Sequence, residues 1–213
     1  MLIGAWAKHP NPERILDIGS GCGLVSMMLA QRFSDAQIEG VDLHLGSVLD
    51  AKDNAKKSKW EDRICFHCVD IQEFNPIEAF DFIVSNPPFF EDSTKTASQA
   101  KTQAKHTDAL PLSVLISCIK KLLKPKGIFS CILPFETAQN FIKKAEQHDL
   151  FLQRSCAVLP VDYKKPHRLL FEFSDEKKAE ICVEKPLSIR DQKLDNQFSE
   201  TYKSLLSDFM LRF

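Results

Sequence analysis

An α/β domain, with a mostly parallel sheet and helices on both faces, is what this sequence predicts. Three observations carry that expectation. Apolar runs of strand length alternate with segments whose apolar residues recur at helical spacing. The first run passes through a glycine-rich turn directly into a helical pattern. Several of the early runs end on an acid or a small polar residue.

The elements follow in order. Arg14 to Ile18 is a short apolar strand that stops at Gly19-Ser20-Gly21-Cys22-Gly23. Leu24, Val25, Met27, Met28 and Leu29 then mark a helix up to Arg32. Gln37 to Asp42 is a second strand, and Val48 to Lys57 the next helix. Arg63 to Asp70 is a third strand, and Phe80 to Ser85 a fourth. Leu112 to Leu123 is a helix closed by Pro125 and Gly127. Gly127 to Leu133 is a fifth strand and Glu136 to Gln147 a helix. Phe151 to Leu159 and Leu169 to Phe173 are late strands with no helix between them, so an antiparallel edge is expected. Ala179 to Val183 adds a further edge strand, and Thr201 to Leu211 a closing helix. The polar stretch from Glu91 to Thr107 is too long for an ordinary connection and reads as a binding loop or a locally disordered segment.

Bulk properties narrow the class. With 213 residues, 44% hydrophobic and 27% charged, the chain suits one globular domain with a full core. The net charge of −1 rules out a global polycation, so any nucleic acid must be held by a local basic face. Seven cysteines are scattered through apolar runs without a disulfide framework, which is reduced, cytoplasmic usage. No run reaches the ~18 apolar residues of a membrane span.

The glycine turn, Asp17-x-Gly19-x-Gly21-x-Gly23, differs from the G-x-G-x-x-G fingerprint that cradles a pyrophosphate. Its glycines alternate and an acid precedes them. Glycine lets backbone pass against a ligand, and the acid disfavours an anionic ligand and suits a cationic one such as S-adenosylmethionine. Asp42 follows Gly23 by about 20 residues, the spacing of an acid that binds ribose hydroxyls; read alone, it could equally be a strand-end cap. Asp70 or its backbone would reach the adenine end of the donor.

Asn86-Pro87-Pro88-Phe89 sits where the fourth strand runs out. The amino group of a nucleobase is a poor nucleophile until its N–H groups are held by acceptors. Asn86 offers a side-chain carbonyl, Pro87 a backbone carbonyl without an N–H, and Phe89 a face for stacking. Read alone, the stretch could equally be a strand ended by prolines, with Phe89 and Phe90 packed inward. Cys65-x-x-Cys68 has no second pair and its side chains leave a strand in opposite directions, so no metal site is expected.

Asp17-Ile18-Gly19-Ser20-Gly21-Cys22-Gly23, Asp42 and Asn86-Pro87-Pro88-Phe89 together resemble the class I methyltransferases that act on amino groups. Adding Leu2-Ile3-Gly4-Ala5-Trp6-Ala7, Lys105-His106-Thr107 and the tail from Phe198 to Leu211, the chain is similar over nearly its whole length to the bacterial tRNA1(Val) adenine-N6 methyltransferase family. The resemblance implies a Rossmann-like fold with a mostly parallel seven-stranded sheet and an antiparallel edge strand. It implies S-adenosylmethionine as cofactor and a tRNA adenine beside the anticodon as substrate. The expected donor site is Asp17, Gly19, Gly21, Gly23, Asp42, Leu43, Asp70 and Asn86. Asn86, Pro87 and Phe89 are the expected catalytic residues. Pro88, Phe90, Lys105, His106, Lys164, Lys165 and Arg168 are the expected substrate contacts, and Lys95 and Lys101 flank the same loop. A monomer without metal or membrane is expected.

Two departures stand out. Family members carry a further segment before the Gly-Ala-Trp-Ala stretch, so an N-terminal cap over the donor is expected to be missing. The family usually has Tyr where Phe89 stands, which keeps stacking and loses a hydroxyl. Asn-Pro-Pro-Phe also occurs in guanine-N2 rRNA methyltransferases. DNA adenine, a protein glutamine amide, a nicotinamide oxidoreductase and a non-catalytic RNA- or partner-binding domain remain as further readings. Lys120, Lys121, Lys124 and Lys126, at a helix end, are expected to be a solvated face.

Overall fold

The computed structural model describes residues 1–87, 111–195 and 197–210. Pro88, Phe89, Phe90, Lys95, Lys101, Lys105, His106 and the 91–107 loop lie outside the described residues. The helices are α1 (Leu2–Trp6), α2 (Leu24–Arg32), α3 (Leu45–Lys56), α4 (Leu112–Leu122), α5 (Phe135–Glu146) and α6 (Glu200–Leu206). The strands are β1 (Arg14–Ile18), β2 (Gln37–Asp42), β3 (Ile64–Cys68), β4 (Phe80–Ser85), β5 (Leu123–Pro134), β6 (Phe151–Val161), β7 (Arg168–Ser174), β8 (Cys182–Val183), β9 (Leu187–Asp191) and β10 (Gln197–Phe198).

Among the described residues one sheet runs in the order β10-β9-β6-β7-β5-β4-β1-β2-β3, with β8 also pairing β6. The expected seven strands are the run from β6 to β3. β7 lies antiparallel between β5 and β6, and β10 is antiparallel at the edge. The sheet is wider than seven strands because the chain after β7 returns to β6 and adds β8, β9 and β10 there. Side chains alternate across the sheet. Leu16, Ile83, Phe129 and Phe171 pack under α4 and α5. Ile15, Phe82, Val84 and Leu170 pack under α1, α2 and α3.

Several boundaries differ from expectation, and three of them have a local reason. α3 starts at Leu45 rather than Val48 because the His44 imidazole accepts a hydrogen bond from the Ser47 N–H at 3.1 Å, an unusual cap. β5 starts at Leu123 because Pro125 and Gly127 lie in a bulge, with Lys126 at φ +63°, and the register resumes at Ile128. α6 stops at Leu206, and its start is fixed by Ser199, whose hydroxyl accepts from the Tyr202 N–H. α1, β9 and β10 were not expected, being too short to show a period.

A buried charge cluster ties the chain's first turn to its late strands. Arg154 and Glu172 are cross-strand partners. The guanidinium donates to both Glu172 oxygens at 2.7 Å, to Glu184 at 2.8 Å and to the Trp6 carbonyl at 3.0 Å. The Trp6 indole donates to Glu184 at 2.7 Å, and Ser130 and the Lys8 N–H donate to Glu172 at 2.8 Å. Buried charge persists only when its bonding capacity is met in this way. Burial alone would raise the Glu184 carboxyl, but hydrogen bonds from Arg154 and Trp6 hold it below its ordinary value.

Gly40 pairs with Phe66 across β2 and β3, and the ring covers it. A Cβ at Gly40 would lie 2.4 Å from Phe66 Cδ1. Gly40→Ala is therefore expected to lower stability by about 1–3 kcal/mol, read by thermal or urea unfolding. The double variant Gly40→Ala/Phe66→Leu should lose less than the two single losses added together.

Candidate functional site

β1, β2 and β4 end side by side, Ile18 pairing with both Val41 and Ser85. The Ser85 hydroxyl donates to the Ile18 carbonyl at 2.8 Å, which fixes where the chain leaves β4. β3 ends beside Asp42, and the Val69 N–H donates to the Asp42 carbonyl at 3.1 Å. The segments beginning at Gly19, Asp42, Asp70 and Asn86 thus leave the sheet along one edge, where ligands sit in open α/β sheets. Asn86 is exposed there and Pro87 is buried.

The glycine turn must convert a strand into a helix within five residues. It does so with φ of +73° at Gly19, +54° at Gly21 and +81° at Gly23, values that favour glycine. The Gly19 and Ser20 N–H groups donate to the Val41 carbonyl at 2.9 and 3.1 Å, and Asn54 holds the Cys22 carbonyl at 3.0 Å. Gly23 is closed in: a Cβ there would meet Phe66 Cζ at 2.6 Å. Gly21 is open, since a Cβ would meet nothing within 4 Å. Bare backbone over open space is the surface a flat or extended ligand would use.

Asp17 does not face that space. It is 1% exposed and accepts from the Ser26 hydroxyl at 2.6 Å, with a further bond from the Ser26 backbone. It thereby caps α2 from the preceding strand, where Gly23 has no side chain to do so. Burial pushes its carboxyl up to about 6, against the Ser26 bonds that work to lower it. It can act on a ligand through its charge rather than by contact.

Asp42 is engaged with backbone, as the strand-end cap reading expects. One oxygen accepts from the Gly21 N–H at 2.8 Å and the other from the His44 N–H at 2.9 Å. Each oxygen keeps a lone pair for a further donor. Leu43, exposed beside it, offers an apolar wall. Asp70 accepts from the Gln72 N–H at 2.8 Å and fixes the turn after β3.

Lys164 and Lys165 are exposed in the β6–β7 connection, and Arg168 opens β7 opposite Pro134, the last residue of β5. They share the sheet edge of Asn86 but stand several strands away. Lys120, Lys121, Lys124 and Lys126 are engaged with Asp149, Asn75, Asp81 and Glu176 at or near the start of β5, the opposite edge. Among the described residues no helix is long and apolar enough to cross a membrane, and no group of His, Cys, Asp and Glu is placed to hold a metal. Ser26, Asn54 and Phe66 shape the site, and the sequence reading did not find them. Each acts through a contact between separate elements, which no local pattern records.

The family model for the methyltransferase small domain matches residues 1–110. A tRNA1(Val) (adenine(37)-N6)-methyltransferase of Pectobacterium carotovorum is 38% identical over 99% of this chain and 85% of its own length. One of Vibrio cholerae is 39% identical over all of this chain and 86% of its own. The chain belongs to the tRNA1(Val) (adenine(37)-N6)-methyltransferase family. Solved structures agree on the fold. A predicted O-methyltransferase of Agrobacterium tumefaciens superposes with a TM-score of 0.74 at 16% identity, over 97% of this chain and 94% of that one. An N-methyltransferase of Bradyrhizobium japonicum, in complex with S-adenosyl-L-homocysteine, gives 0.57 at 18% identity over 78% and 80%.

The open backbone at Gly21 allows a test that separates ligand binding from folding. Gly21→Ala adds roughly 1–2 kcal/mol of backbone strain and no clash. It is expected to shift Tm by only a few degrees while weakening S-adenosylmethionine at least tenfold by calorimetry. Gly23→Ala, which meets Phe66, should unfold more readily instead.

Proposed function

We propose that this chain methylates the exocyclic N6 of an adenine in tRNA, the one beside the anticodon of tRNA1(Val), using S-adenosylmethionine. The observation that carries this reading is the pairing of Ile18 with Ser85. It sets the glycine turn and Asn86-Pro87 next to each other, as a donor site and an amine-holding site must be. The activity named for the family's relatives supports the choice of substrate.

When bound, S-adenosylmethionine supplies an electrophilic methyl group on a sulfonium. The residues fit it: open backbone at Gly21, a carboxylate at Asp42 with acceptor capacity for ribose hydroxyls, and Leu43 and Asp70 toward the adenine end. Asn86 and the Pro87 carbonyl would each accept a hydrogen bond from the N6 amino group, which aims the nitrogen lone pair toward the methyl group. The role of stacking the flipped base goes to Phe89 on the sequence motif, with substrate contact by Pro88 and Phe90; all three lie outside the described residues. Lys105, His106, Lys164, Lys165 and Arg168 hold phosphates. The N6 nitrogen would form its bond to the methyl as the C–S bond to the sulfonium breaks, leaving a neutral thioether, and one amine proton would pass to water. Alignment and preset acceptor dipoles account for the rate. No metal is needed, and in this reading the enzyme works as a monomer in the cytoplasm.

Asn86→Ala should leave donor affinity nearly intact, within a fewfold, and cut turnover on unmodified tRNA by at least a hundredfold. Turnover near wild type removes Asn86 from the mechanism. Mass spectrometry of the product nucleoside decides between N6-methyladenosine and a methylated guanine.

Asp17 gives a pH signature. A bound cation favours the ionised carboxylate and lowers its pKa in the complex. Above about 6 the carboxylate is ionised with or without donor, and affinity is flat. Below it the free protein must release a proton to bind, so affinity falls with falling pH. Calorimetry from pH 5 to 8 should show that decline, and Asp17→Asn should flatten it.

A further inference from the structure

The β6–β7 connection, residues 162–167, overhangs the sheet. Cys131 pairs with Ser85, yet β5 continues to Pro134, which pairs with Arg168. Arg168 pairs with Val158, yet β6 continues to Val161. At about 3.3 Å per residue these overhangs carry the tip roughly 20 Å beyond the end of β4. The intervening strands set it roughly 14 Å to the side. The tip therefore stands about 25 Å from Asn86 by strand geometry.

A hairpin end with no neighbour would fray, and here β9 supports it. Val158, Leu159 and Val161 pair with Leu187, Ser188 and Arg190. The Asp162 N–H donates to the Arg190 carbonyl at 3.2 Å, and the Asp162 carboxylate accepts from the Gln192 N–H at 3.1 Å. The turn closes with the Lys164 N–H on the Val161 carbonyl at 2.9 Å and the His167 N–H on Val158 at 3.0 Å. The tip's acid is thus committed to backbone. What remains outward is Tyr163, 56% exposed, with Lys164 Nζ 5.1 Å from its ring centroid and Lys165 exposed next to it.

We infer that Tyr163 is a stacking platform for an unpaired nucleotide of the RNA substrate, several positions along the strand from the adenine held at Asn86. The inference rests on the function proposed above and adds a second recognition point to it. An aromatic face accepts any base, and cations beside it meet the neighbouring phosphates. A duplex buries its base faces in its own stack, so the platform selects a loop over a stem. The distance between tip and Asn86 excludes the adenine's immediate neighbours and makes the contact a measure of how the loop is presented.

The test uses the full chain and an unmodified tRNA transcript with adenine beside the anticodon. Tyr163→Ala should raise KM for the tRNA about tenfold, the scale of one lost stacked base, with kcat and donor affinity unchanged. Tyr163→Phe should retain the wild-type KM. In anisotropy titrations of the same transcript, Tyr163→Ala should weaken binding equally at every salt concentration. Lys164→Ala should reduce the slope of log affinity against log salt by about 0.7. A Tyr163→Ala variant that binds and turns over within twofold of wild type overturns the platform. Wild-type protein that leaves the tRNA unmethylated overturns the proposed function instead. The anisotropy comparison then still decides Tyr163: tenfold weaker binding supports it and equal binding rejects it.

Discussion

The reversal from β1 into α2 is the constraint on which the rest depends. A strand must become a helix within five residues while its ends stay bonded to β2 and β4. Three left-handed backbone positions make that path available, and the Val41 carbonyl and Asp42 carboxylate hold it. The same geometry leaves bare backbone, not side chains, facing open space at Gly21. Phe66 completes the turn from below, filling the space that side chains at Gly23 and Gly40 would occupy. Two glycines far apart in sequence are thus required by one ring.

Asp17 shows how structure and function share a residue. It caps α2 through Ser26, so the helix starts where the turn needs it. It is also held at a pKa of about 6 because burial opposes its charge. Under the proposed function a cationic ligand would favour the ionised carboxylate. The Arg154 cluster does the complementary work among the interior strands of the sheet. It joins α1 to β5, β6 and β7 through fully bonded charges and fixes the N-terminal turn against the sheet.

Much of the fold was legible because its signals are local. The β1 run, the alternating glycines and the α2 pattern lie in one stretch, and parallel strands buried on both faces read as apolar runs. The short pieces were not legible. β9 has five residues and β10 two, and their partners lie far away in the chain. The bulge at Pro125 and Gly127 was read as a helix stop because both residues serve equally in either role. At the site, Asp42 was legible as a candidate by its spacing from Gly23, and Asn86 by the prolines that follow it at a strand end. Ser26 and Phe66 were not, since their partners are set by packing across the sheet.

The sequence by itself determined the chemistry on offer: a glycine path for a cationic donor, acceptors for an amine, and strands to carry both. These follow from residue types whose conformational limits and hydrogen-bonding groups are intrinsic. The tertiary structure alone decided which of them meet. Strand order brings Gly19 beside Asn86, cross-strand pairing sets Phe66 over Gly40, and β9 turns a loose connection into a supported ledge for Tyr163. Those relations are long-range because hydrogen-bonded register, not proximity in the chain, fixes them.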